Sequence, residues 1–254
     1  MTLSVEHIKG VMLPQLFANS AAIAEYGNTA GGAAAINEIS DLMESGSVGK
    51  LAERIAQIVG KLQDADPERI SRPSTWLERL TGKPLERQVR YQVARKSLDE
   101  MISDTEGIAQ RVRDTLKRID EVISTHTADS EALRLYIQAG REFLDENPAA
   151  GEIQAGVVEF DRPRERFARK LANMATLLAS NEMSIIQMKM TRAQAVDMLD
   201  RYNEAVSVMV PVWRRHTLAL ITTTNMNSAL INEATKAHRA LATSLAKSLE
   251  GIKQ

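Results

Sequence analysis

Basic and aromatic side chains gather at two places in the sequence, and both places combine residue types that bind anions. The first stands at the start of a predicted helix, where free backbone N–H groups and the helix dipole favour an anion. The second directly follows a proline, which frees a backbone carbonyl inside a helix. An oxyanion or a protein partner would suit either group. Their residues are Arg162, Arg164, Arg166, Arg169 and Lys170, and then Trp213, Arg214, Arg215 and His216 after Pro211.

Both groups also have a structural interpretation. Glu165 lies four residues before Arg169, so ordinary i,i+4 charge pairing explains the first group equally well. In the second group, Trp213 would pack in the core while His216 hydrogen-bonds across a helix bundle, since polar residues at such positions more often specify pairing. The sequence leaves both interpretations open.

The residues needed for common enzyme chemistry are missing. The chain has no cysteine, which removes thiolate metal sites and thiol nucleophiles. A di-iron helix bundle needs a Glu-x-x-His pair on two helices, whereas the four histidines are scattered and none follows that pattern. In SGSVGK at 45–50, two residues separate the glycines where a phosphate loop needs four, and Leu51 replaces its Ser or Thr. We therefore expect no catalytic residue, no metal and no cofactor, and a protein that is not an enzyme.

Charge and hydropathy restrict the setting. The chain has 32 basic and 33 acidic residues, a balance that gives no electrostatic footprint for nucleic acid. The N-terminus lacks the basic region and continuous apolar core of a secretory signal. No window approaches the roughly 18 uninterrupted apolar residues of a membrane span. These features predict a cytoplasmic protein. Residues 3–26 leave one alternative open, which is an interfacial helix on a membrane surface.

A heptad pattern dominates the last hundred residues and predicts the element that carries both basic groups. Apolar residues alternate at spacings of four and three, as in a coiled coil, and the same count continues past Pro211. We expect one helix from Pro163 to about Gly251, kinked at Pro211. The positions of this heptad seam are Phe167, Leu171, Met174, Leu178, Asn181, Ile185, Met188, Arg192, Ala195, Leu199, Tyr202, Val206, Met209, Trp213, His216, Leu220, Thr223, Asn227, Leu230, Ala234, Ala237 and Leu241.

The rest of the chain supplies partners for this helix. Residues 101–123 repeat apolar positions at spacings of three and four, which predicts a second long helix, with a pause near Ala128–Ser130. We divide the chain into an N-terminal helical hairpin region at 1–63, a Pro/Gly linker at 64–84 and a long-helix bundle at 85–254. One continuous domain formed by 1–63 and 85–254 stays open as the alternative. The predicted fold is all-α, an elongated bundle of antiparallel, coiled-coil-like helices. Off-seam Met183 and Met190 indicate an exposed interface.

Two segments, RLYIQAG at 134–140 and VPVWRRHTLAL at 210–220, resemble the toxic anion resistance (TelA-like, tellurite resistance) family. The order and spacing of the elements carry this resemblance. His216 departs from it, since the family usually has Gln there. The motif positions of structural interest are Tyr136, Gly140, Pro211 and Thr235.

The resemblance implies an association with resistance to tellurite and related stress, without an established reaction. Combined with the missing chemistry, it predicts a non-enzymatic scaffold that binds protein partners. A homo-oligomer, a peripheral membrane contact and direct oxyanion binding stay open as alternatives.

Overall fold

The computed structural model describes residues 3–28, 46–71, 85–151, 162–222 and 228–250, and every regular element in these ranges is helical. The predicted all-α class is therefore confirmed. Eight α-helices occur in these ranges: α1 Val5–His7, α2 Leu13–Ala18, α3 Ser47–Asp64, α4 Pro67–Ser71, α5 Leu85–Glu146, α6 Pro163–Glu204, α7 Val210–Thr222 and α8 Ser228–Glu250. Two π-helical segments, Ile8–Met12 and Ala205–Met209, and a 3₁₀ helix, Ser20–Glu25, complete the set.

The chain forms two compact units, each built from separate stretches of sequence. The first combines Met1–Glu44 with Lys117–Arg192, and the second combines Ser45–Leu116 with Ala193–Gln254. Both long helices, α5 and α6, contribute to both units. The predicted hairpin partly falls on residues 29–45, and most of the predicted linker falls on 72–84; both stretches lie outside the described residues.

In the first unit, α5 and α6 pack antiparallel. Gly140 of α5 lies so close to α6 that a Cβ at this position would come 2.5 Å from Cδ2 of Leu171. Further along the pair, Arg134 binds Glu182 at 2.6 Å and Arg192 binds Asp120 at 2.5 Å. The N-terminal segment closes this core with four buried side chains: Ile8, Leu13, Ile23 and Tyr26.

In the second unit, α3 packs against α5 and the chain that follows Arg192. The buried face of α3 consists of Leu51, Ile55, Ile58, Val59 and Leu62, the spacing of an amphipathic helix. Its neighbours in the core include Leu98 and Val112 of α5, Tyr202 of α6, and Trp213 of α7.

Each of two prolines stands just after a π-helical segment. Pro14 and Pro211 are the second residues of α2 and α7. Before Pro211, the Val210 N–H donates to the Ala205 carbonyl, five residues back. An α-helical proline would crowd the carbonyl four residues before it, and the wider π turn relieves that crowding while the helical path continues. The irregularity predicted at Pro211 is thus a π segment, a known cause of helix kinks.

The predicted pause at Ala128–Ser130 is wrong, because α5 runs unbroken from Leu85 to Glu146. Asp129 and Ser130 are weak helix formers, but such residues cost only a few tenths of a kcal/mol each. His126, Ser130 and Leu133 are buried at helical spacing. Packing on this face outweighs the local preference.

The heptad seam is confirmed through α6 and α7 but not in the last helix. From Phe167 to Leu220 most seam positions are buried, and Arg192, an exposed seam residue, binds Asp120. In α8, however, Ala237 is exposed while Thr235, His238 and Ala242 are buried. The buried face of α8 is rotated by about one residue from the predicted one.

Candidate functional site

Trp213 is a buried anchor between helices. Its indole Nε1–H donates to the carbonyl of Ala65 at 2.6 Å, and its ring stacks on Tyr91 with centroids 5.6 Å apart. Ala65 is the C-cap of α3, and the last carbonyls of a helix have no partner within that helix. Trp213 satisfies one of them from a distant part of the chain. The core-packing interpretation of Trp213 is the one that the structure shows.

A second side chain serves the same helix end. His238 of α8 is buried, and its Nε2 lies 3.3 Å from the carbonyl of Leu62. A carbonyl can only accept a hydrogen bond, so the Nε2–H of His238 is the donor. Leu62 itself is fully buried, where an unpaired carbonyl costs about 1–3 kcal/mol. The C-terminus of α3 is thus capped by residues of α7 and α8.

The pKa of His238 lies below its ordinary value of 6.5, mainly because burial disfavours the charged imidazolium. The hydrogen bond to the Leu62 carbonyl and the charge of Asp66 act in the opposite direction, and nearby His216 and Arg239 add to the lowering. His216 is half-buried, and its Nδ1 has no hydrogen-bond partner.

Asp66 ties α4 to α8. Its Oδ1 accepts the backbone N–H of Glu68 at 2.8 Å at the start of α4, while its Oδ2 accepts the Nε–H of Arg239 at 2.8 Å. Arg239 also pairs with Glu68 at 3.2 Å. Asp66 is 5% exposed, but the Arg239 side chain is 59% exposed, so solvent still screens the pair from the arginine side.

A polar groove of about 630 Å³ lies along α8 beside Glu68. Thr235 lines it, is 4% exposed, and has a buried Oγ without a hydrogen-bond partner. Lys236, Arg239 and Lys247 line the same groove, so cations outnumber its one carboxylate. The family-motif residue Thr235 is thus placed in a setting that suits an anion.

The other two basic residues near Trp213 differ from each other. Arg214 pairs with Asp99 of α5, and Asp99 also binds Arg95 at 3.5 Å. Arg215 is exposed. The four residues 213–216 therefore do not converge on one ligand site.

The basic segment at the start of α6 mainly makes structural contacts. Arg164 donates from Nη1 to the Asn147 carbonyl and from Nη2 to the Leu144 carbonyl, both at 2.9 Å, and so caps the C-terminus of α5. Lys170 binds the Ala24 carbonyl at 2.8 Å. The predicted Glu165–Arg169 pair is replaced by Arg162–Glu165 at 3.1 Å. Arg166 is half-buried and Arg169 exposed, so these side chains do not form one anion cradle.

The first family motif lies in the core of the first unit. The hydroxyl of Tyr26 donates a hydrogen bond to the backbone carbonyl of Tyr136 at 2.8 Å, and the two rings meet edge to face. Gly140 permits the close approach of α5 and α6 described above. Both motif residues make contacts within this core.

Exposed apolar residues follow one face of α6, opposite the heptad seam. Met183, Ile186 and Met190 have 71%, 60% and 61% of their surface exposed, which confirms the predicted exposure of both methionines. Further exposed small residues continue the row toward the helix start. We call the whole row the outer stripe: Ala172, Thr176, Ala179, Met183, Ile186 and Met190.

Neither a candidate metal site nor a membrane-spanning helix occurs among the residues that the structure describes. No group of three or more His, Asp or Glu side chains there is arranged to hold a metal ion. No helix in the same ranges combines the length and apolar character needed to cross a membrane.

Sequence reasoning missed Asp66, His238 and Arg239. Their partners are largely backbone groups or residues far away in the sequence, and such contacts carry no local motif. The sequence does hold two local signals. Thr235, His238 and Ala242 have the spacing of one helix face. Asp66 stands directly before Pro67, as an N-cap residue stands before the first residue of a helix.

Comparison with known proteins gives a consistent result. A family model described as toxic anion resistance protein (TelA) matches residues 15–245. Protein KlaA of Escherichia coli is 62% identical to this chain over 253 residues, covering 100% of this chain and 98% of KlaA. No solved structure matches the chain.

The lowered pKa of His238 predicts a pH-dependent stability. An unfolded histidine binds a proton near pH 6.5, and the folded protein resists that proton, so the contribution is present above about pH 6.5 and is lost as the pH falls through the folded pKa. We expect the melting temperature, followed by circular dichroism, to fall more for the wild type than for His238→Gln between about pH 7.5 and about pH 5.5. Glutamine can still donate to the Leu62 carbonyl but does not titrate. A difference between the two proteins that stays constant with pH would contradict the assignment.

Proposed function

Since this chain belongs to the toxic anion resistance (TelA) family, we propose that it acts in resistance to tellurite and related oxyanions as a non-enzymatic helical scaffold of the cytoplasm. Its long helices would present surfaces to protein partners. The family membership supports the resistance role, and the contacts of the described residues support the scaffold role.

The outer stripe carries this proposal. Single exposed apolar residues are ordinary on protein surfaces, but Met183, Ile186 and Met190 recur at spacings of three and four on one helix face. Methionine adapts to irregular partner surfaces because its side chain is flexible and polarizable. A row of this kind is typical of a surface that receives another helix.

The residues with chemical potential support a structural role as well. Trp213 and His238 cap α3, Arg164 caps α5, and Asp66 joins α4 to α8. Each of these polar side chains has a partner that explains its position. Their main effect is to hold helices together, which is what a scaffold requires.

Direct oxyanion binding is a second candidate, favoured by the groove along α8. The buried Oγ of Thr235 has no partner, and Lys236 and Arg239 line the groove within about one helical turn of it. An oxyanion would accept hydrogen bonds from the hydroxyl and from the charged side chains. Arg239 already binds Asp66 and Glu68, so Lys236 would supply most of the attraction beside Thr235, whereas Lys247 lies about 18 Å further along α8.

The peripheral membrane alternative has weaker support. Within residues 3–26, Ile8, Leu13 and Ile23 are buried in the core of the first unit, and Lys9 binds Glu142 at 2.9 Å. The apolar face that would enter a lipid surface is therefore already in use.

The scaffold role predicts that the outer stripe is needed for tellurite tolerance. The double variant Met183→Glu/Met190→Glu places charges on the stripe without touching the core. A loss of about 1.4 kcal/mol from the contact weakens binding of the partner about tenfold. We expect the tolerated tellurite concentration to fall by at least about tenfold as well. Tolerance is measured in cells that depend on this chain, with protein levels checked by immunoblot.

The matched control is Ser124→Glu/Ala128→Glu on α5, which adds the same charge at two exposed positions of the same unit. It should retain wild-type tolerance. Full tolerance of the stripe variant at equal protein level would overturn the scaffold proposal.

The oxyanion candidate predicts heat on titration. Calorimetry with tellurite, sulfate and phosphate at about 5 mM should show binding to the wild type that Thr235→Val and Lys236→Gln each weaken roughly tenfold, the effect of losing one charge-assisted hydrogen bond. Lys50→Gln, an exposed lysine outside the groove, is the control and should bind as the wild type does. Absence of heat with all three anions would remove this candidate.

A further inference from the structure

We propose that the outer stripe pairs with the outer stripe of a second copy of this chain, with the two α6 helices antiparallel and Met183 of one copy facing Ile186 of the other. This inference rests on the proposed function and makes it more specific, because it identifies a second copy of the chain as a partner of the scaffold surface. Its evidence is the spacing of the stripe, the sizes of its residues and the charges beside it.

The spacing is that of a coiled-coil seam. From Ala172 to Met190 the steps alternate four, three, four, three and four, the pattern that places side chains along the line of contact between two helices. The heptad seam on the opposite face of α6 is already filled by the chain itself. At about 1.5 Å per residue, the outer stripe covers about 27 Å of helix. Its narrow, regular form fits a helix better than an irregular surface.

Residue size favours the antiparallel direction. If two copies pair antiparallel about a point between Ser184 and Ile185, Met190 of one copy faces Ala179 of the other, and Met183 faces Ile186. Large residues then meet small ones at the ends of the contact, which fills space evenly. In a parallel pair, each residue would face its own copy, so Met190 would meet Met190 and Ala179 would meet Ala179.

Charge fixes the same register. On the flank of the outer stripe, Glu182 precedes Met183 and Lys189 precedes Met190. The antiparallel register that places Met183 against Ile186 also places Glu182 beside Lys189 of the second copy, and the two-fold axis repeats this contact. Lys189 is exposed, and Glu182 binds Arg134 at 2.6 Å while keeping 40% of its side chain exposed. Opposite charges at flanking positions set partner choice and direction in coiled coils.

Both copies use the same surface for this contact, so the assembly ends at a dimer. Such a two-fold interface does not extend into filaments. In this register the stripe residues that face each other run from Ala179 to Met190, which is less than two heptads, so the dimer should be weak and its population should depend on protein concentration. A weak contact suits a scaffold that assembles as the protein accumulates.

The absence of cysteine from the sequence permits a direct test on the full-length chain. A disulfide needs Cα atoms within about 7 Å. A mixture of the single variants Met183→Cys and Ile186→Cys should therefore cross-link under mild oxidation, and so should a mixture of Ala179→Cys and Met190→Cys. Met190→Cys alone should not cross-link, because the two copies of this residue would be offset by about 16 Å along the helix. Ser124→Cys serves as the exposed control and should stay monomeric.

Sedimentation of the uncrosslinked protein at roughly 200 µM and roughly 2 µM supplies the second measurement. Lys189→Glu should weaken the dimer at least about fivefold, and adding Glu182→Lys to it should restore most of the affinity, because the charges are then exchanged between flanks. Circular dichroism of each variant checks that it folds.

Each failure has its own signature. Efficient cross-linking of Met190→Cys with itself, or a strictly monomeric protein at the higher concentration, would overturn the antiparallel dimer. If Met183→Glu/Met190→Glu still abolished tolerance in that case, the stripe would serve a different protein and the scaffold role would survive. If the dimer formed as described but the stripe variant kept full tolerance, the dimer would stand and the scaffold role would fail.

Discussion

The antiparallel packing of α5 and α6 is the interaction on which the rest of the structure depends. Within the first unit, the missing Cβ of Gly140 lets Leu171 approach. Within the second unit, the Tyr202 hydroxyl of α6 donates to Glu106 of α5 at 2.8 Å. A helix pair of this kind buries one face of each partner and leaves the opposite faces free. Function on such a frame is therefore expected on outer faces and at helix ends, where backbone groups still lack partners.

Helix ends explain most of the residues that looked like ligand-binding candidates. Arg164 closes the C-terminus of α5, and Trp213 and His238 close that of α3. Trp213 and His238 meet carbonyls that would otherwise be buried without hydrogen bonds, at a cost of about 1–3 kcal/mol each. The π segment before Pro211 keeps the helical path continuous, so that Trp213 remains on the seam and reaches Ala65. Interior polar residues thus fix the positions of helices, and the exposed stripe of α6 is left for interaction.

Much of the fold could be predicted from the sequence, because the spacing of apolar residues shows which face of a helix is buried. The heptad seam identified α6 and α7, and the off-seam places of Met183 and Met190 indicated their exposure. Three features could not be predicted. The partners of Trp213 and His238 are backbone carbonyls, which have no residue signature. The buried face of α8 is shifted by about one residue from the heptad count carried over from α6, and nothing in that count signals the shift. The free hydroxyl of Thr235 depends on packing that only the folded chain defines.

Under the scaffold proposal, this member of the toxic anion resistance family works by presenting surfaces to partners and performs no reaction. The most direct test follows tellurite consumption in solutions of NADPH or glutathione, with and without the purified full-length protein. The scaffold proposal predicts the same rate of tellurite consumption with and without the protein at every protein concentration, because the chain has no cysteine to exchange electrons. A rate that rises in proportion to protein and saturates with tellurite would contradict it.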